Sequence, residues 1–210
     1  MNTIDAILYI NLDFRLDRKK HIESEIARIG FPRSIVYRVQ AIYEPACGHL
    51  GCCLSHIKAL ELAVKHKWKR VLILEDDFKF QISPSQLKLI LKEAEAVPWD
   101  VLLLAKGHSR VETPVGCMLK VNYCTTTSGY IVKAPYYETL LNNFRGSAEA
   151  TRKQMTLHAE QCLAENKPIS KLIHGVAAID QTWIALQKKD AFYITDPVIG
   201  KQHPFSSDTF

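Results

Sequence analysis

The chain has 210 residues, 47% of them hydrophobic and 23% charged, and a formal net charge of +5. That length supports one sizeable core, so a single domain is expected over 1–210, with the composition of an ordinary globular protein. Its basic residues (Arg15, Arg18, Lys19, Lys20; Lys65, Lys67, Lys69, Arg70; Lys188, Lys189) are scattered among helices, which gives no indication of nucleic acid and suits an anionic small molecule or surface.

In chain order, "MNTIDAILYINLDF" carries an acidic residue inside its apolar stretch and no small-residue cleavage site, so it does not read as a signal peptide. No segment approaches the roughly 18 uninterrupted apolar residues of a membrane span. A cytoplasmic location is therefore expected, with peripheral membrane association left open. "DAILYIN" predicts a buried strand, followed by a charged helix over 15–29 that stops at Gly30. "SIVYRVQA" predicts a short strand. From Gly48 to about Lys67, Leu50, Leu54, Ile57, Leu60, Leu62 and Val64 recur at helical spacing.

"RVLILEDD" predicts a central strand buried on both faces, and Ser83-Pro84 a helix reaching about Val97. "WDVLLLA" predicts a strand, and "MLKVNYCTTTSGYIV" two strands broken near Thr125 to Gly129. "YYETLLNNF" predicts a short helix, with a separate polar helix within 148–165 and another from Ile179, while the last fifteen residues show no strong period. Strands and helices alternate through the first half, which predicts a three-layer α/β sandwich with a mixed sheet. The six cysteines (Cys47, Cys52, Cys53, Cys117, Cys124, Cys162) contain no CxxC pair, and Cys52 and Cys53 fit as small core residues, so a reducing compartment and no structural zinc are expected.

The chemistry is concentrated in "VLILEDDF", where Glu75, Asp76 and Asp77 follow a buried strand. Adjacent carboxylates repel and resist leaving water, so a cation is expected among them. In an open α/β sheet ligands bind beyond the carboxyl ends of strands, and carboxylate oxygens suit Mg²⁺ or Mn²⁺ bridging to phosphate. A metal with a diphosphate is the inference; the plainer reading makes one or two of these residues a cap or a solvent-facing group.

"VLILEDDF", preceded by "GHLGCCLSHIKAL" and "YINLDFRLDR", resembles glycosyltransferase family 25, which includes lipooligosaccharide galactosyltransferases and collagen hydroxylysine galactosyltransferase domains. The resemblance runs over 5–135 and returns more weakly at "AIDQTW" and "GKQHPFSSD". It implies a GT-A fold, an α/β/α sandwich with a mixed central sheet, in which 1–135 binds the nucleotide sugar and 136–210 serves the acceptor side and closes the site. The short chain also resembles compact GT-A domains of large DNA viruses that glycosylate capsid protein, for which the location would be the host cytoplasm.

The resemblance implies a UDP-sugar donor, Mn²⁺ or Mg²⁺, and a glycan or glycoprotein acceptor. Asp77 would be the first metal ligand, Glu75 the second and His203 the third, with Asp76 on the ribose. Asn11, Arg15 and Arg18 would meet the base and diphosphate. Ser55 and His56 would bond sugar-nucleotide hydroxyls, while Gly48 and Gly51 admit close backbone approach. Ser206, Ser207 and Asp208 resemble the family's C-terminal Ser-Asp pair, folding over the nucleotide. The implied chemistry is inverting, with Asp180 as general base and Trp183 stacked on a sugar ring; Asp180 equally suits a helix N-cap for "QTWIALQKK". The polar stretch 145–175 is longer than the family's connection and fits an acceptor lid or an added surface helix. A non-catalytic nucleotide-sugar or carbohydrate-binding module with the same fold is the alternative. A hydrolase or phosphotransferase ranks lower, lacking a Walker-type loop and a convincing nucleophile.

Overall fold

The computed structural model describes residues 4–116, 118–172 and 176–206. The first strand, β1 (Ala6–Asn11), is buried along its whole length because both sheet faces are covered. Ala6, Leu8 and Ile10 point into one apolar layer, Ile7 and Tyr9 into the other, as a two-residue side-chain period requires. Helix α1 (Leu16–Arg28) turns Ile22 and Ile26 inward, and a 3₁₀ turn (Arg33–Ile35) leads into β2 (Val36–Gln40). Then come α2 (Gly48–Lys65), β3 (Arg70–Glu75), β4 (Phe78–Phe80) and α3 (Pro84–Ala94). The start of α3 is fixed by a capping box between Ser83 and Gln86.

The chain continues through β5 (Val101–Leu103), β6 (Ser109–Val115), β7 (Met118–Cys124), β8 (Gly129–Lys133), α4 (Tyr137–Ala164), α5 (Ile179–Thr182), α6 (Ile184–Gln187), β9 (Phe192–Thr195) and β10 (Gly200–Gln202). Eight strands form one mixed sheet in the order β2-β1-β3-β8-β5-β9-β7-β6. Pairing is parallel for β1–β2, β1–β3 and β5–β9 and antiparallel elsewhere in this sheet. One face carries α2 and α4 around Leu60, Leu140, Phe144 and Trp183; the other carries α1 and α3 around Ile22, Leu87, Phe80 and Trp99. This is the expected α/β/α sandwich. Among the described residues no helix is long and apolar enough to cross a membrane.

Register places the site. Ile10 pairs with Glu75 and Leu74 with Gly129, so the ends of β1 and β3 and the turn before β8 meet at one sheet edge, where pairing switches from parallel to antiparallel. Strand β10 pairs with β4, Gln202 opposite Phe78, and so returns the C-terminal segment to the acidic triplet. Gly129 and Gly200 flank the Phe78 ring: a Cβ would lie 2.3 Å from the ring at Gly129 and 2.1 Å at Gly200. Gly200→Ala is therefore expected to cost about 2 kcal/mol and lower Tm by roughly 6 °C, checked by thermal unfolding.

Three local expectations change. The two helices predicted after Pro135 are one 28-residue helix, α4. Leu140, Leu141, Phe144, Ala148 and Thr151 keep a buried stripe running across Gly146, so packing against α2 outweighs glycine's poor propensity. The helix predicted from Ile179 is two four-residue turns hinged at Trp183. Strands β4, β6, β9 and β10 carry no clear signal in the sequence, and β9 from the second half lies between β5 and β7 from the first.

Candidate active site

A cleft of about 370 Å³ opens at that edge, lined by Asn11, Arg18, Glu75, Asp76, Asp77 and Asp180 among others. Within it the three carboxylates have different partners. Glu75 Oε1 accepts from Thr127 Oγ1 at 2.8 Å and meets His56 Nε2 at 3.3 Å. Asp76 Oδ2 accepts from Asn11 Nδ2 at 2.7 Å, and its Oδ1 faces Arg18 Nε at 2.9 Å. Asp77 Oδ2 pairs with Arg18 Nη2, whereas Asp77 Oδ1 is buried without a hydrogen bond of good geometry, although the Gln202 side chain also helps to hold this carboxyl down. The cation that the triplet calls for is thus, in this state, the guanidinium of Arg18, whose fork spans two carboxylates.

Burial raises Asp77, repulsion from Glu75 adds to it, and Arg18 only partly opposes them, so its carboxyl is pushed up to about 7. Asp76 is also raised, chiefly by burial, against Arg18 and Asn11. For Glu75, burial is outweighed by the His56 and Thr127 hydrogen bonds, and its carboxyl falls below the usual range. Arg18→Met would leave Asp76 and Asp77 buried with little compensation. It is expected to destabilise the fold by about 3 kcal/mol at neutral pH, with part of the loss restored by Mn²⁺, as read by denaturant unfolding with and without the ion.

The other expected residues divide into those the cleft contains and those it does not. Asp180 lines it from the first turn of α5; Ala178, not Asp180, occupies the N-cap, so the capping reading fails. Burial raises the Asp180 carboxyl, which accepts a hydrogen bond from the Thr126 backbone N–H. Asn11 is committed on every side: its amide donates to Asp76 and to Arg15 O, and its Oδ1 accepts from Arg38 Nε. It orients Asp76 and leaves no donor for a nucleotide. Ser55 is likewise engaged, accepting from Ile42 N at 2.8 Å and donating to Gly51 O at 2.7 Å. It pins the 41–44 loop to α2 at the point where a Cβ on Gly51 would lie 2.6 Å from Ile42 O. His56 is fully buried, held between Tyr130 and Glu75, and positions that carboxylate rather than reaching for sugar hydroxyls.

Arg15 lies outside the cleft lining, paired with Asp17 and donating to Ser206 O at 3.1 Å. His203 donates its backbone N–H to Asp77 O at 2.6 Å, and its ring packs on His21 and Phe205 with a buried, unpartnered Nδ1. Phe205 in turn sits under the Arg18 guanidinium at 5.6 Å. The segment 203–206 is therefore strapped across α1 and the triplet; Ser207 and Asp208, like Cys117, lie outside the described residues. Trp183 cannot stack on a sugar: it is wholly buried against Tyr130 and Phe192, with Nε1 donating to Cys124 O. Cys53 is a core residue as expected, but Cys52 lines the cleft.

The 125–128 turn is not among the residues the sequence singles out. Thr126 has φ of 100°, strained backbone for a β-branched residue, and lines the cleft between Asp180 and Glu75's partner Thr127. Only the run "TTTSG" hints at it, and that run reads equally as an ordinary strand break.

Comparison with known proteins adds the following. The model of glycosyltransferase family 25 (LPS biosynthesis protein) matches residues 40–127, from the end of β2 through α2 and the triplet to Thr127. A glycosyltransferase 25 family member from Drosophila pseudoobscura pseudoobscura is 26% identical over 161 residues, covering 62% of this chain and 26% of that protein. Procollagen galactosyltransferase 2 of Homo sapiens is 24% identical over 94 residues, 40% of this chain and 15% of that one. The chain thus spans about a quarter or less of the length of these relatives. Among solved structures, mannose-1-phosphate geranyltransferase from Thermus thermophilus superposes with a TM-score of 0.50 at 11% identity, over 90% of this chain and 73% of that one. The chain therefore resembles family 25 across the segment that builds the cleft wall, and its fold is the GT-A type sandwich.

Proposed function

We propose that the chain is a metal-dependent, inverting glycosyltransferase, acting in the cytoplasm, that moves a hexose or deoxyhexose from a UDP-sugar to a hydroxyl of a glycan or glycoprotein. The observation that carries this reading is the acidic triplet on the cleft wall, in which Asp77 Oδ1 is buried without a well-formed hydrogen bond next to Glu75. Buried polar atoms without partners are rare in native folds, and one within a carboxylate cluster fits a missing cation. Two carboxylates, Glu75 and Asp77, supply oxygen donors suited to Mn²⁺ or Mg²⁺; the His203 ring, packed on His21 and Phe205 outside the cleft lining, does not converge with them, so the third ligand expected from the resemblance is not assembled here. When bound, the metal would offset the charge developing on the departing diphosphate.

The remaining work falls to the chain's own groups. Asn11 holds Asp76 in place for a ribose hydroxyl. Arg18, already poised over Asp76 and Asp77, offers its fork to the diphosphate once another cation takes over the carboxylates. Asp180, fixed by the Thr126 N–H, takes the proton of the acceptor hydroxyl; burial raises its affinity for that proton and so improves it as a base near neutral pH. The 203–206 strap would close over the nucleotide.

Because Asp77 holds a proton up to about pH 7, protons compete with the metal below that value. Mn²⁺ affinity is expected to fall about tenfold per pH unit as pH drops below about 7 and to level off above it, measured by titration across pH. The Arg18 pairing favours one rival reading, a binding module whose triplet is neutralised internally. UDP release from UDP-sugars in the presence of glycan acceptors separates the two: Mn²⁺-dependent turnover supports the transferase, and donor binding without turnover supports the module.

A further inference from the structure

We propose that Cys52, His56 and Glu75 form a second cation site on the wall of the same cleft, selective for a thiophilic divalent ion of the zinc type. Cys52 and His56 are four residues apart on α2 and so share a face, and Glu75 at the end of β3 completes the set. One ligand atom from each, the Cys52 sulfur, a His56 ring nitrogen and a Glu75 carboxylate oxygen, lies within 4.8 Å of the others. A tetrahedral zinc ion needs them closer by about 1 Å, a displacement within reach of a side-chain rotation at Cys52 or Glu75.

The supporting groups are already present. His56 Nδ1 is bonded to Tyr130 OH at 3.1 Å, which leaves Nε2 directed at Glu75, and Thr127 anchors the same carboxylate. Such outer hydrogen bonds fix the ring and raise ligand basicity in metal sites. The fourth position faces the cleft, so water or a ligand can complete the shell. Asp77 and Asp180 add negative charge around the Cys52 thiol. That negative field favours a dication, and the S–H proton leaves to solvent as the sulfur–metal bond forms. A thiolate selects against Mn²⁺ and Mg²⁺, so this site and the oxygen-rich one at Asp77 take different ions. Glu75 belongs to both, so zinc here withdraws a ligand from the proposed donor site; that inhibitory consequence rests on the transferase reading, whereas the binding does not.

The test is titration of the reduced protein with Co²⁺, a spectroscopic substitute for zinc. One equivalent is expected to give a thiolate-to-cobalt charge-transfer band that Zn²⁺ displaces and Mn²⁺ does not. Cys52→Ser should abolish the band and weaken Zn²⁺ binding about 100-fold, with UDP-sugar turnover in Mn²⁺ unchanged and no longer inhibited by Zn²⁺. Should that variant misfold, protection of Cys52 by Zn²⁺ against alkylation in the unmodified protein decides the matter. Absence of the band at saturating Co²⁺, its persistence in Cys52→Ser, or alkylation unaffected by Zn²⁺ would overturn the proposal. None of these three readouts uses a nucleotide sugar, so the site can fail while the transferase reading stands, and the reverse.

Discussion

Asp77→Asn is expected to weaken Mn²⁺-dependent UDP-sugar binding by about 1,000-fold while leaving the fold intact. The loss corresponds to about 4 kcal/mol, the order that a metal's charge stabilisation supplies. Asn keeps the shape of the side chain and an oxygen for Arg18, which also retains Asp76. It removes a carboxylate that burial and Glu75 already push up to about 7, so little native-state stabilisation is lost at neutral pH. Calorimetry paired with a thermal scan checks both halves: lost metal-dependent binding with Tm within a few degrees supports the assignment, and unchanged binding removes Asp77 from the metal site.

Asp180→Asn is expected to leave donor affinity unchanged and lower kcat by about 10²- to 10⁴-fold, the range for removing a positioned general base. The amide can still take the Thr126 hydrogen bond, so the strained turn should hold. What it cannot do is accept the acceptor's proton. Equal losses in kcat and in kcat/KM, with donor binding intact by calorimetry, would be the signature of a group used only in the transition state. A variant that loses donor affinity instead would place Asp180 on the nucleotide side.

The parts of the molecule legible in the sequence share a physical cause. β1 and β3 are buried on both faces and so write continuous apolar runs, and the triplet stands out because charge directly after such a run is costly. The close approach at Gly51 was readable because α2 begins where two glycines stand. Strands of three or four residues, such as β9 and β10, are too short to show a period. Contacts across long sequence separations leave no pattern either. Arg18 reaches the triplet from 59 residues away, and Thr127 reaches Glu75 from 52. Residue type alone misassigned Ser55, Asn11 and Trp183. Each carries a group that could touch a ligand, and only the fold shows those groups already spent on Gly51, Asp76 and Cys124. Cys52 erred in the opposite direction: its helical spacing suggested core, while the fold places it on the cleft wall.

The central claim is that the acidic triplet, with Asp77 Oδ1 buried and without a well-formed hydrogen bond, takes a metal that holds a nucleotide sugar. Calorimetric titration with a panel of UDP-sugars, GDP-sugars and free UDP, each with Mn²⁺ and with chelator, tests it most directly. The expected result is binding of one UDP-sugar in Mn²⁺ and none in chelator. Equal binding in both conditions, or none in either, would contradict it and leave Arg18 as the only cation the triplet requires.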